Sequence, residues 1–195
     1  MQAAAGTALS SSRVARERTR LGLTRAVMIA VAVLGFALDR ITKSWALAHL
    51  QENTPSATFA GGWVSLELLF NSGAAFSMGS SATIVFSVLA LMALAFMLVW
   101  VWPRARGWLA SVCAGVLVAG IGGNLADRLL RPPGVLRGHV VDFIAVQHFA
   151  VFNVADMFIS TAAVLFVIYV LVSGRDEEPS DAPASPQGSV AGGQP

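Results

Sequence analysis

The residues best suited to chemistry in this chain are a small set of carboxylates and amides that fall within or beside long apolar stretches. They are Asp39, Asp127, Asp142 and Asp156, with Asn71, Asn124 and Asn153. Two carboxylates that share a site cannot both ionise easily, so one holds a proton while the other stays charged. The charged group can take a proton from water, and the protonated group can polarise a peptide carbonyl. A pair of this kind would perform the chemistry of an aspartic protease.

A structural role is the competing interpretation for these acids, because each could pair with a nearby base. Asp39 and Lys43 are four residues apart, and Asp127 is next to Arg128 and could also meet another arginine. The other two aspartates have no base at helical spacing, with the exceptions of Arg137 and His139 near Asp142. For Asp39 and Asp127 the pairing role is favoured.

Composition restricts the class of protein in which these acids act. Of the 195 residues 55% are hydrophobic and only 12% are charged, and the mean hydropathy is +0.67. A soluble domain carries about twice that share of charge, and a disordered chain needs low hydrophobicity. The single cysteine, Cys113, cannot form an internal disulfide, and the scattered histidines indicate no metal site. A net charge of +2 does not imply nucleic acid, and no cofactor is expected.

Four apolar stretches are candidates for membrane spans, since about 20 helical residues cross a bilayer. They are Ala26 to Leu38, extended helically to about Leu50; Ser81 to Trp102; Trp108 to Ala126; and Val154 to Ser173. The first could instead be a cleaved signal peptide, but its charged end argues against removal. The fold class predicted is therefore an all-α polytopic membrane protein with four transmembrane helices.

The distribution of lysine and arginine predicts the orientation of the spans. The N-terminal segment, the 103–107 turn and residue 175 carry eight, whereas residues 51–80 carry none and 128–137 carry three. Both termini are thus expected in the cytoplasm. The long segment between helices 1 and 2 is expected outside, where the run Trp63–Phe70 predicts a small β-rich extracytoplasmic element.

This orientation brings the acids of three different helices to one depth. With a rise of 1.5 Å per residue, Asp39, Asp127 and Asp156 lie about 24, 28 and 26 Å from the cytoplasmic face. Asp142 lies on the connection before span four and could join them. Ionisable groups at such depths are expected to be functional.

The domain organisation predicted from these features has three parts. Residues 1–22 form a basic cytoplasmic tail without a fold of its own, 23–173 form the four-helix domain, and 174–195 form a disordered cytoplasmic tail.

Five short blocks occur in an order that resembles the signatures of bacterial lipoprotein signal peptidase, or signal peptidase II. They are Asp39–Lys43 (DRITK), Asn71–Phe76 (NSGAAF), Gly123–Arg128 (GNLADR), Val140–Phe143 (VVDF) and Phe152–Asp156 (FNVAD). Each block alone is weak, whereas five in order across four spans are specific. The similarity covers residues 26–173.

The resemblance implies an intramembrane aspartic endopeptidase that removes signal peptides from diacylglyceryl-modified prolipoproteins, cutting just before the lipidated cysteine. It implies that Asp142 and Asp156 are the catalytic pair. The supporting or substrate-binding residues would be Asp39, Lys43, Asn71, Gly73, Asn124, Asp127, Arg128, Asn153 and Ala155. Among these, Arg128 and Asn71 would contact substrate. Only 13 residues lie between the two catalytic aspartates, which implies a short outer connection.

The partners implied are the lipidated prolipoprotein, membrane lipids and globomycin-type inhibitors, with the enzyme a monomer in the bacterial cytoplasmic (inner) membrane and its active site near the outer face. Two other functions stay open at this point. A small proton-coupled transporter would spread its acids through the membrane thickness, and a membrane scaffold would use them only to pair helices.

Overall fold

The computed structural model describes residues 2–73 and 79–173, and the tail predicted for residues 174–195 lies outside this range. The helices are α1 (Gln2–His49), α2 (Gly79–Phe96), the one-turn α3 (Trp102–Arg104), α4 (Trp108–Leu130) and α5 (Val154–Ser173). Between α2 and α3 the chain continues as a π-helical turn, Met97–Val101.

Four helical segments are long and apolar enough to cross a membrane. They are Arg16–His49, Thr83–Arg104, Trp108–Leu130 and Val154–Val172. All four predicted spans are therefore confirmed as helices of membrane-spanning length. Many of their large apolar side chains, such as Leu34 at 69% and Val167 at 56% exposure, face outward. Outward apolar faces suit contact with lipid, so the chain is a multi-pass membrane protein.

The N-terminal segment differs from the prediction. Residues 2–22 are not a separate tail, because α1 already begins at Gln2. This segment is rich in alanine and arginine, which are strong helix formers, and no proline precedes Pro55. Extending an existing helix costs far less free energy than nucleating one, so the basic segment continues the helix of the first span.

Helix α4 lies at the centre of the bundle, in contact with α1, α2 and α5. Its glycines let the backbones approach closely, as expected for helices packed in a membrane. A Cβ at Gly115 would lie 2.8 Å from the Met28 carbonyl of α1, and one at Gly120 would lie 2.6 Å from the Ala155 carbonyl of α5. The central position of α4 brings the C-terminal end of α1 and the N-terminal end of α5 to the same place.

A four-stranded antiparallel sheet packs on one end of the bundle, in the order β1 (Ala57–Phe59), β2 (Val64–Asn71), β3 (Val140–Val146) and β4 (Val151–Phe152). The strand predicted within Trp63–Phe70 is confirmed as β2. The sheet is not confined to the connection between helices 1 and 2, because β3 and β4 come from the connection between α4 and α5. Asn71 pairs with Val140 and Leu69 with Asp142, which fixes the position of Asp142.

A small apolar core holds the sheet on the end of α1. It contains Ala46 of α1 with Leu68, Val141 and Phe143 of the sheet, all nearly inaccessible. Since alternate residues of a strand point to opposite faces, burial of Val141 and Phe143 against this core turns Asp142 to the other face. The hydrophobic packing of β3 therefore aims the carboxyl group.

Candidate active site

Asp142 is buried on β3, and amides from two other elements hold both of its oxygens. Asn71 Nδ2, at the end of β2, donates to Oδ2 at 2.8 Å, and Asn153 Nδ2 donates to Oδ1 at 2.5 Å. The side-chain oxygen of Asn71 accepts the backbone N–H of Gly73 at 2.7 Å, which fixes the amide with its donor toward Asp142. Gly73 has φ of +82°, a conformation that favours glycine.

Asp156 is anchored at the first turn of α5 by a reciprocal cap with Asn153. The Asn153 side-chain oxygen accepts the backbone N–H of Asp156, and an Asp156 carboxylate oxygen accepts the backbone N–H of Asn153, both at 3.1 Å. This is a capping box, with an asparagine at the N-cap and an acid three residues later. Asn153 therefore caps α5, and the same residue connects Asp142 to Asp156.

Asn124 of α4 provides the second contact to Asp156. Its Nδ2 donates to the Asp156 carboxylate at 2.7 Å, while its Oδ1 accepts from Lys43 Nζ at 3.0 Å and from Asn153 Nδ2 at 3.2 Å. Because both donors lie on the oxygen side, the amide can present only its NH₂ group to Asp156. Lys43 is fully buried and acts on Asp156 through Asn124.

Asp39 and Asp127 are also fully buried, but bases neutralise both. Lys43 Nζ lies 3.0 Å from Asp39 and 2.9 Å from Asp127. Asp127 also accepts from Arg40 and from Arg131, each at 2.5 Å. The predicted pair of Asp39 with Lys43 is confirmed, and Asp127 pairs with arginines other than its neighbour in sequence.

Asp39 and Asp127 also accept hydrogen bonds from backbone N–H groups in α5 and β3, the two elements that carry Asp156 and Asp142. Asp39 accepts the backbone N–H of Ala155 at 3.0 Å, and Asp127 accepts that of Val141 at 3.3 Å. Ala155 and Val141 are each adjacent in sequence to an aspartate of the other pair, Asp156 or Asp142. The ion-paired residues thus position α5 and β3 rather than supply a free carboxylate.

Arg128 lies near the acids without bonding to them. Its Cζ is 5.8 Å from the ring centre of Phe86, and a Cβ at Gly73 would lie 3.8 Å from its Nη1. Nη1 is buried and has no hydrogen-bond partner among residues 2–73 and 79–173. A buried donor without a partner is costly, which suits a group that meets a ligand.

The electrostatics of Asp142 differ from those of an ordinary carboxylate. Its pKa is raised to about 6: burial is the main cause and the neighbouring Asp156 adds to it, whereas the hydrogen bonds from Asn71 and Asn153 and the charge of Lys43 lower it. The ionised form is therefore costly at this position, whereas Asp156 is only partly buried. Perturbed carboxyl groups of this kind are typical of acid–base sites.

The predicted convergence of the acids is confirmed, because hydrogen bonds and ion pairs join Asp39, Asp127, Asp142 and Asp156 through Lys43, Asn124 and Asn153. Sequence reasoning missed Arg40 and Arg131 as partners of Asp127. Arg131 stands four residues after Asp127, a spacing that could have revealed it, whereas nothing in the sequence points to Arg40. The amide of Asn71 hydrogen-bonds Asp142, and the contact of Asn71 with substrate that the resemblance implies stays a prediction.

No group of three or more histidine, cysteine or acidic side chains in the described part of the chain is arranged to hold a metal ion. Within the acid cluster, the carboxylate oxygens accept hydrogen bonds or form ion pairs with lysine, arginine and amide groups.

Comparison with known proteins gives one consistent family. The sequence model described as signal peptidase (SPase) II matches residues 31–172. A lipoprotein signal peptidase of Streptomyces coelicolor is 41% identical over 159 residues, covering 79% of this chain and 74% of that protein. A lipoprotein signal peptidase of Leifsonia xyli is 37% identical over 180 residues, covering 88% of this chain and 82% of that protein. A lipoprotein signal peptidase of Mycobacterium tuberculosis is 39% identical over 142 residues, covering 73% of this chain and 69% of that protein.

Two solved structures described as bacterial membrane enzymes have the same fold. The first has a TM-score of 0.66 at 24% identity, and the match covers 75% of this chain and 93% of that structure's chain. The second has a TM-score of 0.68 at 23% identity, and the match covers 81% of this chain and 95% of that structure's chain. The family match, unlike the fold, decides between the peptidase and the transporter or scaffold interpretations. The chain, with its four long apolar helices and its cluster of acids, belongs to the signal peptidase II family of membrane peptidases.

Proposed function

We propose that the protein is an intramembrane aspartic endopeptidase that removes signal peptides from diacylglyceryl-modified prolipoproteins, cutting just before the lipidated cysteine. The observation that carries the mechanism is the division of the four clustered acids into two that are paired with bases and two that are not. Among the described residues no lysine or arginine forms an ion pair with Asp142 or Asp156, whereas Asp39 and Asp127 are paired with bases. Asn153 contacts both unpaired acids.

In this mechanism Asp142 and Asp156 share one proton. The charged carboxylate removes a proton from a water molecule, whose oxygen bonds to the scissile carbonyl carbon. The protonated carboxyl group donates a hydrogen bond to the carbonyl oxygen. Collapse of the tetrahedral intermediate breaks the C–N bond, and the proton goes to the leaving amine. A proton shared in this way belongs to the pair and not to either residue.

The surrounding polar residues have separate tasks in this proposal. Asn71, Asn124 and Asn153 hold the two carboxyl groups in a fixed geometry. The guanidinium group of Arg128, whose Nη1 is buried and free of described partners, binds a carbonyl of the substrate beside the acids. Preorganised donors of this kind stabilise a transition state at no cost in reorganisation.

The membrane arrangement is also part of the proposal. The excess of lysine and arginine in the N-terminal segment and the 103–107 turn puts both termini in the cytoplasm. The sheet then lies outside, and the acids lie near the outer face of the bacterial cytoplasmic membrane. A lipidated cysteine anchored in the outer leaflet would reach them there. Binding of globomycin-type peptides and a monomeric state are further expectations from the family resemblance.

Cleavage by the purified protein tests this function. A diacylglyceryl-modified prolipoprotein is incubated with the protein in proteoliposomes, and the products are weighed by mass spectrometry. The expected product begins with the lipidated cysteine, and the same precursor without the diacylglyceryl group serves as the control. A cut at another bond, or equal cleavage of both precursors, contradicts the proposed specificity.

A further inference from the structure

The outward face of α5 carries a groove beside the acids that the mechanism above does not use. Its volume is about 500 Å³, and it is lined by Phe149, Phe152, Asp156, Met157, Ser160 and Thr161. We propose that this groove, called here the α5 groove, binds the diacylglyceryl group of the substrate. The inference rests on the proposed function and adds to it the location of the lipid.

The α5 groove opens toward the bilayer and away from the bundle. On α5 its residues stand at positions 156, 157, 160 and 161, which form one helical face. The residues that pack on α4 lie on the other side of α5: a Cβ at Gly120 would meet Ala155 and Ile159 at 2.6 and 2.7 Å. Acyl chains in a groove of this orientation would never leave the membrane.

The α5 groove is continuous with the proposed catalytic site because Asp156 forms part of its wall. In the proposed reaction the lipidated cysteine directly follows the scissile bond, so its lipid must lie beside the acids. Ser160 is four residues further along α5, about 6 Å deeper in the membrane. That depth is suitable for the glycerol part of the lipid, with the acyl chains beyond it.

Two hydroxyl groups in the groove lack the partners that hydroxyls in membrane helices normally find. Thr42, Ser87 and Ser111 each donate to the backbone carbonyl four residues earlier. Ser160 and Thr161 are exposed, and neither hydroxyl bonds to any described residue. A polar group facing hydrocarbon without a partner is costly, so these two groups favour a ligand with acceptors.

The chemistry of the lining agrees with a diacylglyceryl group better than with a plain hydrocarbon chain. The ester carbonyls accept hydrogen bonds, and the hydroxyls of Ser160 and Thr161 can donate them. Phe149, at 81% exposure, and Met157, at 48%, supply apolar surface for the chains. The groove therefore combines donors at one level with apolar walls, next to a proposed catalytic acid.

Steady-state kinetics on two groove variants test the assignment. The double variant Ser160→Ala/Thr161→Val removes both hydroxyls, and Met157→Trp fills the groove. The substrate is a synthetic prolipoprotein peptide that carries a dipalmitoylglyceryl cysteine. KM for this peptide is expected to rise about tenfold in each variant, with kcat nearly unchanged. Val167→Trp is the matched control, since Val167 is 56% exposed on the same helix and does not line the groove.

The same peptide without its lipid, used as a competitive inhibitor, identifies what the groove holds. Its inhibition constant is expected to be equal in the wild type and both groove variants. An inhibition constant that rises with KM would mean that the groove holds peptide, and it would overturn the inference. Unchanged KM in both groove variants would also overturn it. In that case loss of cleavage by Asp142→Asn in the same assay would leave the proposed function standing.

Discussion

Replacing Asp142 by asparagine is expected to stabilise the fold at neutral and alkaline pH. Burial of the carboxyl group raises its pKa from the ordinary 3.8 to about 6. The folded protein thus favours the protonated form, and this contribution to stability is fully present below pH 3.8. It is lost as the pH rises through about 6, because the folded state must then ionise a buried acid. Asparagine carries no charge at any pH and avoids that cost.

The size of the effect follows from the shift. One pKa unit corresponds to 1.36 kcal/mol, so the change from 3.8 to about 6 amounts to about 3 kcal/mol. The variant has only one acceptor oxygen for the amides of Asn71 and Asn153, which costs about 1 kcal/mol at every pH. This second term is constant, so the pH dependence of the difference reports the buried charge alone.

Thermal melts of the wild type and Asp142→Asn at pH 4.5 and pH 8 measure this difference. The melting temperature of the variant relative to the wild type is expected to increase by roughly 4–8 °C between the two pH values, because about 2 kcal/mol of the effect falls within this pH range. Glu67→Gln is the matched control, since it is an acid-to-amide change on the neighbouring strand β2. Its melting temperature relative to the wild type should be nearly the same at pH 4.5 and pH 8. The reasoning would be refuted if the melting temperature of Asp142→Asn relative to the wild type were independent of pH, or if it increased toward acid pH.

Three further predictions concern the polar cluster and its proton. Lys43→Met should lower the free energy of unfolding by about 3–5 kcal/mol, measured by denaturation in detergent, because the buried carboxylates of Asp39 and Asp127 lose their common base. A melt equal to that of the wild type would show that the cluster does not need Lys43. Gly123→Ala should reduce both folding yield and cleavage, since its Cβ would lie 2.5 Å from Asp39 Oδ2, whereas at Gly122 a Cβ meets its nearest atom at 3.6 Å. Gly122→Ala should therefore behave like the wild type, and equal losses in both would contradict the steric argument. Finally, kcat/KM should fall as the pH rises above about 6, because the pair then loses its shared proton; a rate that still climbs at pH 8 would argue against it.

The sequence was sufficient for features that depend on local spacing. Apolar length predicted the four spans, and the rise per residue predicted that Asp39, Asp127 and Asp156 lie at one depth. The pair of Asp39 with Lys43 follows from their separation of four residues and is present at 3.0 Å. These properties are set within single helices, so no knowledge of packing was needed.

The remaining features depend on how separate elements meet. The contact of Arg40 with Asp127 requires the packing of α1 on α4, which no spacing encodes. The hydrogen bond from Asn71 to Asp142 requires the register of β2 on β3. No strand was predicted in the connection between α4 and α5, although Val140–Val146 is rich in β-branched residues and forms the strand that carries a proposed catalytic acid.

The proposed pairing of Asp142 with Asp156 is tested most directly by cleavage of a diacylglyceryl-prolipoprotein with the wild type, Asp142→Asn and Asp156→Asn. Thermal melts of the same preparations show that each variant is folded. Both variants are expected to stay folded and to lose cleavage by at least a hundredfold, as expected when one partner of an acid–base pair is removed. A folded variant of either residue that cleaves at nearly the wild-type rate would contradict the assignment of the catalytic pair.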